Sequence, residues 1–304
     1  MKSRLQNNVD HYIPGVQYDV PLAPFTTWNI GGPATYFWEP NVEQLPEVLK
    51  HAHANDIPVW FLGRGSNVLI DSKGLDGLVI CTKRSLQGIK VQDDVITAEA
   101  GVPMPKLSKY AARLGWGGYE YLIGIPGTVG AGVAINAGLT ANGRKEIGDV
   151  LIDVELMDTR GNRWWESKEE LALGYRTSNI PARELFVLRA RFKATYNASK
   201  EEIKHKTASH LAERRRKQPL SKPTAGSTFK QPDGGKPAGW YIEKAGLKGY
   251  LIGGAEVSDK HANWIENISN ASSLDVKKII DEVACTVFQK FSIKLEREIE
   301  YLNG

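Results

Sequence analysis

The chain has 304 residues, 41% of them hydrophobic and 24% charged, with a formal net charge of +4. That length suits two or three domains with real cores, and the charge is too weak and too spread out for a nucleic-acid surface, though it fits anionic small molecules. No window nears the ~18 uninterrupted apolar residues of a membrane span, and the N-terminal MKSRLQNNVDHYIPG lacks the apolar core of a signal peptide. The expectation is a soluble cytoplasmic protein without nucleic-acid or membrane partners.

In chain order, VEQLPEVLKHAHAN (42–55) reads as an amphipathic helix, with Leu45, Val48, Leu49 and Ala52 on one stripe. IPVWFLG (57–63), LVICT (78–82) and IKVQ (89–92) read as strands, and VITAEAG (95–101) alternates more weakly. KLSKYAARLG (106–115) is a helix closed by Gly115. VLIDVELMDTRGNRWWES reads as two strands around a turn at Gly161-Asn162. LFVLRARFKATY (185–196) alternates apolar and basic residues as a half-exposed strand does, and residues 200–217 form a highly charged helix. SSLDVKKIIDEVACTVFQKF (272–291) is a strongly amphipathic helix. Ser272 and Asp275 have capping-box spacing, and Val276, Ile279, Ile280, Val283, Val287 and Phe291 form its stripe. IKLEREIEY (293–301) reads as the last strand. Cys81 and Cys285 match no zinc or CxxC spacing and are expected to be buried thiols in a reducing compartment.

Two glycine-rich loops can bring main chain close to a ligand, because glycine has no Cβ. The first is GRGSNVL (63–69), which matches neither GxGxxG nor a GK[ST] phosphate loop. Its spacing alone leaves a structural turn and a ligand loop equally open. The second, GIPGTVGAGVAINAG (124–138), holds Gly124, Gly127, Gly130, Gly132 and Gly138, a pattern suited to wrapping a flat or phosphorylated ligand. The alternative is a tightly packed buried segment.

Ser227 sits in SKPTAGSTFKQP, just after three arginines, Arg214, Arg215 and Arg216. A serine hydroxyl is a poor acid and gives its proton only to a strongly basic partner such as a carbanion. As a nucleophile it needs an adjacent base, and no GxSxG elbow is present. A serine in an ordinary loop is the commonest outcome for such a pair. Arginine forks suit carboxylate and phosphate oxygens. Three successive helical residues fan over roughly 200°, so at least one of the three points inward. Arg176 in YRTS is another candidate, and LEREI places Glu296 and Glu298 on one face of a strand.

The ordered set GGPA (31–34), GRGSNVL, GIPGTVGAGVAINAG, YRTS, QPLSKPTAGSTFKQP, AGWYIEKAGLKGYLIGGAEVSDKHANWIEN (238–267) and LEREI strongly resembles the UDP-N-acetylenolpyruvoylglucosamine reductase family, in its shorter variant. The resemblance runs from about residue 20 to the C-terminus. It implies an α+β fold: a two-part FAD-binding region of the vanillyl-alcohol-oxidase type, residues 1–80 and 81–199, plus a C-terminal α+β substrate-binding domain, residues 200–304. It implies FAD, NADPH as hydride donor and a UDP-sugar substrate; no histidine is placed for covalent flavin attachment, so the FAD is expected to be non-covalent, and a monomer is expected. The reaction is reduction of an enolpyruvyl ether to a lactyl ether.

The same resemblance implies cofactor contacts from Gly63, Gly65, Ser66, Asn67, Leu69, Gly124, Pro126, Gly127, Thr128, Gly130, Asn136, Ala137 and Gly138. It implies catalytic roles for Arg176, Ser227 and Glu298, and substrate contacts from Arg214, Arg215 and Lys230. It favours Glu298 over Glu296. The chain departs from the family at Asn29, where a basic residue is common, and at Ala131, in place of a second glycine. A flavin oxidase of the same cofactor fold and a non-catalytic flavin-binding relative are the competing readings.

Overall fold

The computed structural model describes residues 12–140, 143–196 and 198–304. The chain packs as two compact units. Unit 1 comprises 12–18, 36–64 and 77–213, and unit 2 comprises 19–35, 65–76 and 214–304. The contiguous division at 80 and 200 does not express this interleaving. No helix among the described residues is long and apolar enough to cross a membrane.

Unit 1 is built on a five-stranded antiparallel sheet. Its order is Arg163–Ser167, Leu151–Met157, Phe186–Lys193, Val95–Glu99, Ile89–Gln92. The first two strands form the expected hairpin, with Gly161 at φ +79° in its turn. Helices Met104–Leu114 and Val129–Ala134 bury Leu107, Ala111, Val129 and Val133 in one core with Val154, Ala190 and Phe192 of the sheet. Gly115 closes the longer helix in the left-handed conformation, φ +80°. A second core gathers Leu45, Val48, Leu49 and Ala52 from helix Leu45–Ala54. They pack with Leu78 and Ile80 of strand Leu75–Cys81, which runs parallel to Val59–Leu62.

One face of the five-stranded sheet is polar. Glu155 there is held between Arg163 (2.6 Å) and Arg189 (2.5 Å), and the two guanidinium groups keep its carboxyl below the usual carboxylate range. Asp153 pairs with Arg191, whose guanidinium also lies 4.4 Å from the Trp165 ring.

Unit 2 centres on helix Ser273–Phe291. Ser272 and Asp275 form the expected capping box, with the Asp275 amide donating to Ser272 Oγ at 3.1 Å. The Val276, Ile279, Ile280, Val283 and Val287 stripe is buried against helix Ala238–Lys244 and the antiparallel strands Leu251–Ile252, Ala255–Val257 and Ile265–Asn267. Of the expected last strand 293–301 only the end forms, in a strand shifted to Glu300–Leu302 that runs parallel to Val68–Ile70. Residues upstream of it keep the alternation through Leu295 and Ile299, which are buried, but they lack a continuous ladder partner. The expected burial holds for Cys81, whose thiol is pushed up to about 11 by desolvation. It fails for Cys285, which is exposed because it lies off the stripe, beside Gln289.

Candidate functional site

In unit 1 the second glycine loop is shaped by close approaches. A Cβ on Gly63 would fall 2.7 Å from Thr128 Oγ1, and one on Gly130 would fall 2.8 Å from Ala100 Cβ. Both are closer than real Cβ atoms come, so these positions demand glycine. Gly124 ends a short buried turn of helix, Glu120–Gly124, and Pro126 follows it. The carbonyl of Gly127 accepts from the Met104 amide at 3.0 Å, and the amide of Ala137 donates to the Gly132 carbonyl at 2.7 Å. Among the described residues the amides of Gly127 and Thr128 donate to no protein group, although both residues are buried. Main-chain donors in that condition are rare unless a ligand or water satisfies them.

Arg176 comes to the end of this loop. It occupies a left-handed backbone conformation, φ +54°, inside the tight turn Gly174–Thr177. Its Nη2 donates to the Gly138 carbonyl at 2.6 Å, and its guanidinium lies 5.2 Å from the Tyr175 ring. Asn136 braces the same turn: Nδ2 donates to the Gly174 carbonyl (2.9 Å) and to Glu146 Oε2 (2.8 Å), and Oδ1 accepts from the Gly148 amide (3.1 Å).

In unit 2 four distant chain segments meet. Residues 227–230 are bridged on one side to Trp264 and on the other to Arg297. The Thr228 amide donates to the Asn263 carbonyl at 2.8 Å. Glu298 donates its amide to the Thr228 carbonyl at 2.9 Å, and Lys230 donates its amide to the Glu296 carbonyl at 2.8 Å. Ser227 and Glu298 therefore lie on adjoining segments. The first glycine loop is fastened beside them: Asn67 Nδ2 donates to the Glu298 carbonyl at 3.1 Å, and the Asn67 carbonyl accepts from the Glu300 amide at 3.0 Å. Gly65, φ +59°, has no room for a Cβ, which would fall 2.4 Å from the Phe25 carbonyl oxygen. Its neighbour Ser66 reaches within 4.0 Å, at its carbonyl, of the position a Gly226 Cβ would take. Leu69 turns its side chain into the unit 2 core.

The charged candidates separate. Of the three arginines, Arg214 points inward: its Nε is buried without a protein partner among the described residues, and burial lowers its pKa. Arg215 is exposed and offers its carbonyl to Lys260 Nζ at 2.9 Å. Lys230 lies 3.5 Å from Glu296, whose side chain is 75% exposed, so Glu296 sits as a solvated partner. The sequence pattern gives KHANW no task, and beside Asn29 it gives none to Trp28, which is fully buried and donates to the Ile265 carbonyl at 2.8 Å.

Residues 33–166 match the FAD binding domain family, and residues 218–302 match the family of UDP-N-acetylenolpyruvoylglucosamine reductase, C-terminal domain. An FAD-binding domain followed by this C-terminal domain defines a flavoprotein oxidoreductase. The UDP-N-acetylenolpyruvoylglucosamine reductase of Synechococcus sp. strain JA-3-3Ab is 41% identical over 95% of this chain and 92% of its own length. That of Agathobacter rectalis is 39% identical over 100% and 99%. The crystal structure of the Thermus caldophilus reductase superposes with a TM-score of 0.75 at 34% identity, covering 93% of this chain and 98% of that one. The chain belongs to the UDP-N-acetylenolpyruvoylglucosamine reductase family, FAD flavoproteins of peptidoglycan precursor synthesis. The unpaired amides of Gly127 and Thr128 and the Cβ-free approach at Gly63 fit that cofactor's diphosphate and main-chain contacts.

Proposed function

We propose that this protein reduces the enolpyruvyl ether of a UDP-N-acetylglucosamine derivative to the lactyl ether, with NADPH as the electron source and Ser227 as proton donor. The glycine loops would hold FAD non-covalently, and the flavin would supply hydride chemistry there. Addition of hydride to the vinyl carbon leaves negative charge on the carbon next to the carboxylate. That carbon is basic enough to take a proton from a serine hydroxyl. When its carboxyl carries a proton, Glu298 donates a hydrogen bond to the same carboxylate. Arg176 neutralises charge growing there, the kind of electrostatic help that is often the largest single contribution in an active site. Arg214 is the choice for the diphosphate, supported by its buried, unpartnered Nε. Arg215 and Lys230 take outer positions toward the same anionic substrate.

The observation that carries the reading is the bond from the Glu298 amide to the Thr228 carbonyl, 2.9 Å, which sets Glu298 beside the residue that follows Ser227. The test is anaerobic. NADPH should bleach the flavin band of the purified protein, and the UDP-enolpyruvyl sugar should restore it. Restoration by oxygen but not by the sugar would move the protein to the flavin oxidases.

A further inference from the structure

The block VSDKHANW folds as a turn that ends on a buried carboxamide. Ser258, fully buried, accepts through its hydroxyl from the amides of Lys260 (3.2 Å) and His261 (3.3 Å). His261 Nδ1 accepts from the Asn263 amide at 3.3 Å. The closed turn delivers the Asn263 side chain to the main chain of Phe229, which is 2% exposed. There Asn263 Oδ1 accepts from the Phe229 amide at 3.0 Å, and Asn263 Nδ2 donates to the Phe229 carbonyl at 2.8 Å.

We propose that Asn263 is a positioning residue for the reduction: its carboxamide grips the peptide groups of Phe229 and so fixes where the Ser227 hydroxyl sits. The inference rests on Ser227 being the proton donor. In a non-hydrogen-bonded antiparallel pair the two facing residues exchange no bonds, and their own N–H and C=O groups turn away from each other. At the Phe229–Arg297 bridge the hydrogen bonds come from Lys230 and Glu298, so the polar groups of Phe229 itself point away from residues 296–298. Main chain from 263–264 reaches only Thr228 on that side. The Asn263 side chain takes the place of the missing rung. A carboxamide carries a donor and an acceptor on one plane at this length at any pH. Both bonds are buried, where water does not compete for them and they are strengthened. Lost, they free the segment that carries Ser227, and a misplacement of about 1 Å is enough to cost on the order of 10² in rate.

The experiment measures the two half-reactions of the holoenzyme separately, flavin reduction by NADPH and reoxidation by the UDP-enolpyruvyl sugar. Asn263→Ala should slow the sugar half-reaction about 10²-fold and leave reduction by NADPH within a few-fold. In a Ser227→Ala background the same change should add no further loss, because a residue acting through Ser227 is not additive with it. Asn263→Asp keeps the shape. Protonated, its carboxyl offers the same donor and acceptor; ionised, it sets an anionic oxygen against the Phe229 carbonyl. Its sugar half-reaction should therefore fall as pH rises through that carboxyl's titration, a step that wild type and Asn263→Ala lack. Should Asn263→Ala not fold, Asn263→Asp compared with itself across pH decides the matter. Equal slowing of both half-reactions, full additivity with Ser227→Ala, or a pH-independent Asn263→Asp overturns the proposal. If Ser227→Ala itself leaves the sugar half-reaction intact, the proton-donor assignment is what has failed.

Discussion

The candidate regions of the two units are built by opposite means. In unit 1 the second glycine loop lies on a regular sheet-and-helix layer, and its shape comes from what is missing: Cβ atoms at Gly63, Gly130 and Gly132 would fall 2.7–2.8 Å from Thr128, Ala100 and Met104. In unit 2 the segment carrying Ser227 has no regular strand of its own. Two single bridges and the carboxamide of Asn263 hold it, while the carboxamide of Asn67 fastens the adjoining segment at Glu298. The difference follows from the task. A cofactor cradle needs close main chain, and omission of side chains supplies that. A proton donor needs aim, which comes from fixed polar contacts added around it.

Ser227→Ala tests the aimed half most severely. It should leave reduction by NADPH nearly intact and slow the sugar half-reaction by more than the ~10²–10⁴ typical of lost general acid–base help. Equal slowing of both would contradict the role. The cradle half predicts a different signature. Gly63→Ala forces a Cβ against Thr128 Oγ1, at an overpacking cost of about 1–3 kcal/mol. It should lower flavin occupancy and the melting temperature, and Thr128→Ala should restore both. The rescue is possible because the remaining Thr128 Cβ lies 3.6 Å from the added atom, an ordinary contact. A Gly63→Ala protein with full flavin would show that the loop is not shaped by that approach.

The same contrast governs what could be read in the chain. Periodic elements were legible: the helix at 45–54 with its stripe, the helix closed by Gly115, the capping box at Ser272, and the hairpin at Gly161. Glycine spacing marked the cradle, although close contacts such as Gly130 with Ala100 join residues far apart in sequence. The unit 2 region was legible only through family likeness. It assembles residues 65–67, 227–230, 263–264 and 296–298, and no local periodicity links segments so distant. Strand 293–301 was over-read for the same reason: Leu295 and Ile299 alternate into the core, but only residues 300–302 find a ladder partner. Residues 19–35 and 65–76 pack with 214–304, so no contiguous boundary could describe the units.

The smallest expected effect probes the turn behind Asn263. Burial lowers the pKa of His261 from its ordinary 6.5; a main-chain hydrogen bond at His261 itself opposes this, Lys248 and Lys217 add to it, and Glu243 opposes it. The shift favours the neutral ring, the form in which Nδ1 accepts the Asn263 amide. The unfolded chain takes up the proton first, near pH 6.5. Stability from this group is complete above that value and declines as pH falls below it, since the unfolded state then binds more protons. His51 and His210, also lowered by burial, contribute slopes of the same sign. The contribution of His261 is isolated by comparing melting temperature against pH for wild type and His261→Gln between pH 8 and 5. The wild-type curve should drop more steeply on the acid side, and the sugar half-reaction should weaken with it, because protonation undoes the turn that presents Asn263. Parallel curves would mean that the ring's charge state does not matter to this turn, and that the Ser258 hydroxyl alone keeps it closed.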